Sequence, residues 1–121
     1  MLKVVVTSSG EKLDSLVDQR FGRCGWFVVA DTETGEYRAV NNVQNLNAAQ
    51  GAGIQAAQTA SRQGAEAVIT GHCGPKAFRT LSAAGIKVFS GAGGTVGEAL
   101  DAFKKGKLQE ADGADVEGHW T

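Results

Sequence analysis

The chain has 121 residues, a net charge of −1 and no long block of like charge, which suits one compact domain and argues against an electrostatic nucleic-acid binder. No apolar run approaches the roughly 18 residues of a membrane span, and Met1 to Val6 enters a strand directly, without a signal-peptide pattern. Two cysteines outside any disulfide framework fit a reduced cytoplasm, and 17 glycines gathered at element ends point to an α/β protein with many tight loops.

Leu2 to Thr7 is β-branched and unbroken, the pattern of a strand buried on both faces. Glu11 to Gln19 reads as a loop or one loose helical turn, with Leu13, Leu16 and Val17 as core contacts. A second loop, Arg20 to Gly25, is punctuated by glycine and carries Cys24. Trp26 to Asp31 is the second strand, Thr32 to Gly35 has turn chemistry, and Glu36 to Val40 alternates as a hairpin partner should. Asn41 to Ala49 is polar and irregular. Gln50-Gly51-Ala52-Gly53 leads into an Ala-rich helix, Ile54 to Gln63, stopped by Gly64.

Glu66 to Thr70 is the fourth strand. Thr70-Gly71-His72-Cys73-Gly74-Pro75 then joins it to a helix, Lys76 to Ala84, with Pro75 in the first helical position. Ile86 to Ser90 is the fifth strand. Thr95 with Glu98 forms a capping box for a last helix to about Lys105, with Val96, Leu100 and Phe103 inward. Residues 1–106 form the predicted domain, and 107–121 a polar, partly disordered C-terminal tail.

The order β-β-β-α-β-α-β-α predicts an α/β fold with three helices and a five-stranded mixed sheet, ordered 3-2-1-4-5 with only strand 2 antiparallel. That topology collects Thr7 to Gly10, Arg20 to Gly25, Asn41 to Gly53, Gly71 to Pro75 and Ser90 to Thr95 at one sheet edge. Open α/β sheets bind ligands outside the carboxyl ends of their strands. His72, Cys73 and Cys24 supply at most three soft donors there, short of a closed zinc site. A His-Cys pair fits metal ligation and equally a buried core cysteine. Arg20 and Arg23 suit anion binding or ordinary ion pairs with Asp14 and Asp18. Neither GxGxxG nor a Walker ending is present, and no catalytic triad assembles, so a nucleotide-binding or hydrolytic enzyme is disfavoured.

Arg20-Phe21-Gly22-Arg23, the strand Trp26 to Asp31, Gly51-Ala52-Gly53 opening a helix, and Val68 to Phe78 together resemble the dinitrogenase iron–molybdenum cofactor-binding family, from Met1 to Lys105. The resemblance implies a ribonuclease-H-like fold. It also implies a non-catalytic carrier of an anionic, molybdenum-containing metal–sulfide cluster held noncovalently. Members carry the iron–molybdenum cofactor or its precursor, or, as stand-alone domains, a molybdenum–copper sulfide cluster. It implicates Arg20, Phe21, Gly22, Arg23, Gly51, Gly53, Gly71, His72, Cys73, Gly74 and Pro75 in cofactor binding.

On this reading His72, Cys73 and Cys24 offer contacts to an exposed metal, while Phe21 and Trp26 shield the cluster from water. The expected partners are the cluster and a delivery or acceptor protein, with no nucleic acid and no membrane, for a monomer. The alternative is a regulatory or interaction domain that binds a small anion or a protein at the same edge.

Overall fold

A run of valines decides the centre of the sheet. Val4 to Ser8 is buried at every position of the first strand, β1 (Lys3–Ser8), so neither face of it meets water. The computed structural model describes residues 2–42 and 52–111. It places β2 (Trp26–Asp31) antiparallel to β1 and β3 (Tyr37–Asn41) antiparallel to β2. On the other side β4 (Ala67–Ile69) runs parallel to β1, and β5 (Lys87–Phe89) parallel to β4. The sheet order is therefore β3-β2-β1-β4-β5 with β2 alone reversed, as the element order predicts.

Among the described residues three helices cover the two faces: α1 (Ala52–Arg62), α2 (Pro75–Ala83) and α3 (Val96–Lys104). Val5, Phe27, Val29, Val68 and Val88 point to one face and pack with Ala56, Ala57 and Ala60 of α1 and Ala77 and Leu81 of α2. Val4, Val6, Val28, Ala67 and Ile69 point to the other and pack with Val96, Ala99 and Leu100 of α3. This alternation is the period-2 consequence of the strand backbone. The small side chains of α1 let α2 approach so closely that a Cβ on Gly53 would lie 3.1 Å from that of Ala77. The end of α2 shows why a glycine follows it. Gly85 sits at φ 77°, its N–H bonds to Ser82, and the Ile86 N–H reaches back to Leu81, a Schellman closure. The start of α3 carries the expected capping box between Thr95 and Glu98.

Three expectations shift. Residues 11–19 hold no helix; isolated bridges Ser8↔Val17 and Leu16↔Thr95 clamp them to β1 and to the start of α3. That pairing points Leu16 outward, and it is 62% exposed, whereas Val17 is buried and Leu13 half-buried. Helix α1 begins at Ala52, so Gly53 lies in its first turn rather than before it. The polar segment after Gly106 also stays with the body at first. Glu110 bridges Phe89 and the Ala111 N–H bonds to Val88 at 2.8 Å, along the outer edge of β5. The remainder, 112–121, where disorder is predicted, lies outside the described residues.

Candidate functional site

The carboxyl ends of β1, β4 and β5 lie side by side, and one segment crosses all three. The Asp18 N–H bonds to the Thr7 carbonyl at 3.0 Å, and the Thr7 hydroxyl donates to the Asp18 carbonyl at 2.7 Å. That hydroxyl also pairs with the hydroxyl of Thr70 at 2.9 Å, and both threonines are fully buried. One residue on, the Gln19 carbonyl accepts from the His72 N–H at 2.7 Å, and the Gln19 side-chain amide donates to Ala92 at 3.0 Å. The Phe21 N–H then bonds to the His72 carbonyl at 3.2 Å, closing a parallel bridge between Arg20 and His72. Asp18 to Phe21 is thus a strap tied to the ends of β1, β4 and β5.

The strap sets where the predicted site residues stand. Arg20 and His72 are both exposed and abreast on the bridge, so the two loops are hydrogen-bonded neighbours. Arg20 leans on Asp18, Nε to Oδ1 at 3.5 Å, with its side chain 64% exposed against 14% for the carboxylate. An ion pair this open contributes little to stability, so its effect is to orient the guanidinium. Arg23 is half-buried.

Phe21 turns inward instead of shielding a ligand. It is buried and tilts against Phe27 with centroids 6.1 Å apart. Trp26 is half-buried at the start of β2. Cys24 is fully buried, and burial first, then the negative charge of Asp18, pushes its thiol from 9.0 up to about 12. Cys73 is 1% exposed and belongs to the same apolar cluster as Cys24. Both are free thiols. Among the described residues no group of three or more His, Cys, Asp or Glu side chains could hold a metal ion. The structure therefore does not gather His72, Cys73 and Cys24 into one metal group: the first faces solvent and the other two face the core.

The glycines serve the chain's own packing. A Cβ on Gly22 would lie 2.8 Å from the Gly53 nitrogen, and one on Gly71 would lie 2.7 Å from the Gln19 Cα. Gly51 lies outside the described residues. Gly74 and Pro75 do what the motif predicts for a helix start. Gly74 is the N-cap, with extended backbone and no side chain to cap, and Pro75 follows it. The amides of Lys76 and Ala77 therefore have no intrahelical acceptor and point out of the helix end.

Sequence reasoning passed over Asn42. It is buried, and its side-chain amide donates to the carbonyls of Gly22 (3.3 Å) and Cys24 (2.9 Å), while its own N–H bonds to Gly25. It holds the Arg20 to Gly25 loop in shape. The only signal in the sequence is one more asparagine in a polar stretch.

The family model described as dinitrogenase iron-molybdenum cofactor matches residues 1–106. The chain belongs to this family. It is similar to the apo form of the orange protein from Desulfovibrio gigas, at 43% identity and a TM-score of 0.93, over 96% of this chain and 98% of that one. An NMR structure from Thermotoga, assigned to the DUF35 family, matches at 41% identity and a TM-score of 0.84, over 98% and 100% of the two chains. An uncharacterised protein of Methanocaldococcus jannaschii is 28% identical over 113 residues, 91% of this chain and 96% of that one. Family membership and the likeness to the orange protein point to a cofactor-binding or carrier role. No helix among the described residues is long and apolar enough to cross a membrane.

Proposed function

We propose that the chain is a non-catalytic carrier of an anionic, molybdenum-containing metal–sulfide cluster, of the molybdenum–copper sulfide or iron–molybdenum cofactor type. The observation that carries this reading is the Arg20↔His72 bridge, which sets an exposed cation and an exposed imidazole abreast on the loops that lead up to the start of α2. Positive side chains and outward helix-start N–H groups together favour a negatively charged ligand. Residues 1–106 would be the binding unit, acting as a monomer, and two buried free thiols suit a reducing compartment such as the cytoplasm.

The donor chemistry bears on how the cluster is held. A thiol buried in the apolar cluster behind the loop presents no sulfur to a ligand on the rim. Cys24 is therefore left out of the contact set, and Cys73, in the apolar cluster, is a packing residue first. His72 remains as the exposed soft donor, with Arg20, Arg23 and the Lys76 amide as anion partners. This set fits noncovalent retention of a preformed cluster. When bound, the cluster supplies metal and sulfide; the chain supplies compensating charge, hydrogen bonds and a fixed rim. Gly22, Gly53 and Gly71 contribute by letting the rim close on itself.

The test is reconstitution of the apoprotein with tetrathiomolybdate and copper, followed by gel filtration and a visible spectrum. A charge-transfer band that co-elutes with wild type, falls in Arg20→Glu and survives in Cys24→Ala is expected. Wild type without a protein-bound band overturns the proposal. A band lost in Cys24→Ala but kept in Arg20→Glu replaces retention by charge with ligation by thiolate.

A further inference from the structure

Helix α2 has two distinct faces. Ala77 and Leu81 enter the core. Lys76, Arg79, Thr80 and Ala83 recur at i, i+3, i+4 and i+7, which places them on one outer stripe. Together with Ile54 of α1 this stripe lines an open groove of about 520 Å³. Ile54 and Ala83 make its surface apolar, and Lys76 and Arg79 make it basic.

The surrounding charge is one-sided. Neither α1 nor α2 contains an Asp or Glu, and their charged residues are Arg62, Lys76 and Arg79. The acids among the described residues lie in other elements: the loop 11–18, the β2–β3 hairpin, Glu66, α3 and Glu110. Among the described residues, a chain of net charge −1 thus places no acid on these two helices.

We infer that this groove docks an acidic segment of a partner protein, with carboxylates set against Lys76 and Arg79 and an apolar side chain on Ile54 and Ala83. Charge complementarity selects the partner's sign, and the apolar lining asks for a mixed acidic and apolar segment. A nucleic-acid backbone fits less well, because among the described residues the groove carries two cations and no aromatic side chain on which a base could stack. The position has a consequence for function. Lys76 directly follows Pro75, so the groove begins at the same helix start that ends the Gly71 to Pro75 loop. A role in handing over the cluster rests on the reading proposed above; the docking itself does not.

The experiment uses the full-length apoprotein, so its outcome is independent of cluster reconstitution. The probe is a short dye-labelled peptide of Glu, Leu and Ala, compared with its Lys-for-Glu counterpart and with a single-stranded oligonucleotide. The acidic peptide is expected to bind, to weaken as the ionic strength is raised towards about 1 M, and to shift the amide resonances of Ile54, Lys76, Arg79 and Ala83. Arg79→Glu and Ala83→Glu, both on the exposed stripe, should each weaken it by about tenfold. Arg79→Glu should still give the reconstituted band if the cluster reading holds, so the two proposals fail separately.

Equal binding by wild type and both variants, or shifts that map elsewhere, overturns the inference. So does preference for the oligonucleotide. Concentration-dependent shifts of the same amides without peptide would assign the groove to a second copy, through its own Asp112, Asp115 and Glu117, and overturn it as well.

Discussion

Substituting Gly22 by alanine tests the argument that the loop glycines close the rim. The new methyl would lie 2.8 Å from the Gly53 nitrogen, 2.9 Å from its Cα and 3.1 Å from the Ala52 carbonyl carbon. Ordinary carbon contacts fall at about 3.5–4.0 Å, so the overlap is roughly half an ångström or more against atoms that cannot rotate away. Overpacking of this kind costs about 1–3 kcal/mol. Gly22 is not among the positive-φ glycines, so alanine also gains about 0.4–1 kcal/mol by restricting the unfolded chain. The clash wins, and the net loss is about 1–2 kcal/mol, or a Tm lower by about 4–8 °C for a domain of this size. Urea unfolding followed by circular dichroism measures it, with Gly93→Ala as the control. Nothing lies within 4 Å of a Cβ at Gly93 and its φ is not positive, so its midpoint should move by less than about 0.5 kcal/mol. Equal stability of the two variants refutes the packing role. A Gly22→Ala protein of full stability that no longer retains the cluster would show that the methyl meets cargo instead of chain.

Two further outcomes follow from the buried groups behind the rim. Cys24 ionises at 9.0 when unfolded and at about 12 when folded. Its folded value is raised, so the stability it contributes is complete below pH 9 and is lost as pH rises from 9 to about 12. The full loss is about 4 kcal/mol, at roughly tenfold in the unfolding constant per pH unit. Wild type should therefore lose more stability over that range than Cys24→Ala; parallel profiles contradict the assignment. Asn42→Leu leaves the Gly22 and Cys24 carbonyls without their donor, and should cost about 2–3 kcal/mol in urea unfolding. Faster amide exchange across 22–25 should accompany it, and unchanged exchange there would show that Asn42 does not hold the loop.

The fold was legible because its strongest signals are local. Val4, Val5 and Val6 can only be a strand buried on two faces, and Thr95 with Glu98 can only usefully start a helix. Gly85 two residues past Ala83 marks an end for the same reason. Once the elements are named, right-handed crossovers leave one simple sheet order. The residues 11–19 were less legible because their partners are distant. Leu16 looks like core until its backbone is seen bridging Thr95, a pairing no spacing rule predicts.

The site was legible as a place and less so as chemistry, and the difference lies in what loop residues touch. Sheet topology alone brings Arg20 to Gly25 and Gly71 to Pro75 to one edge. Which side chains then face solvent depends on hydrogen bonds between residues far apart in sequence. Asn42 pulls the Gly22 and Cys24 carbonyls inward, and the Cys24 thiol goes with them. Thr7 and Thr70 tie the Asp18 to Phe21 strap across the strand ends, which buries Phe21 and leaves Arg20 and His72 outside. A soft-donor count over His72, Cys73 and Cys24 therefore overstates the ligands on offer. The same bonds strengthen the case for charge: they expose a cation and an imidazole on the loops that lead up to the start of α2.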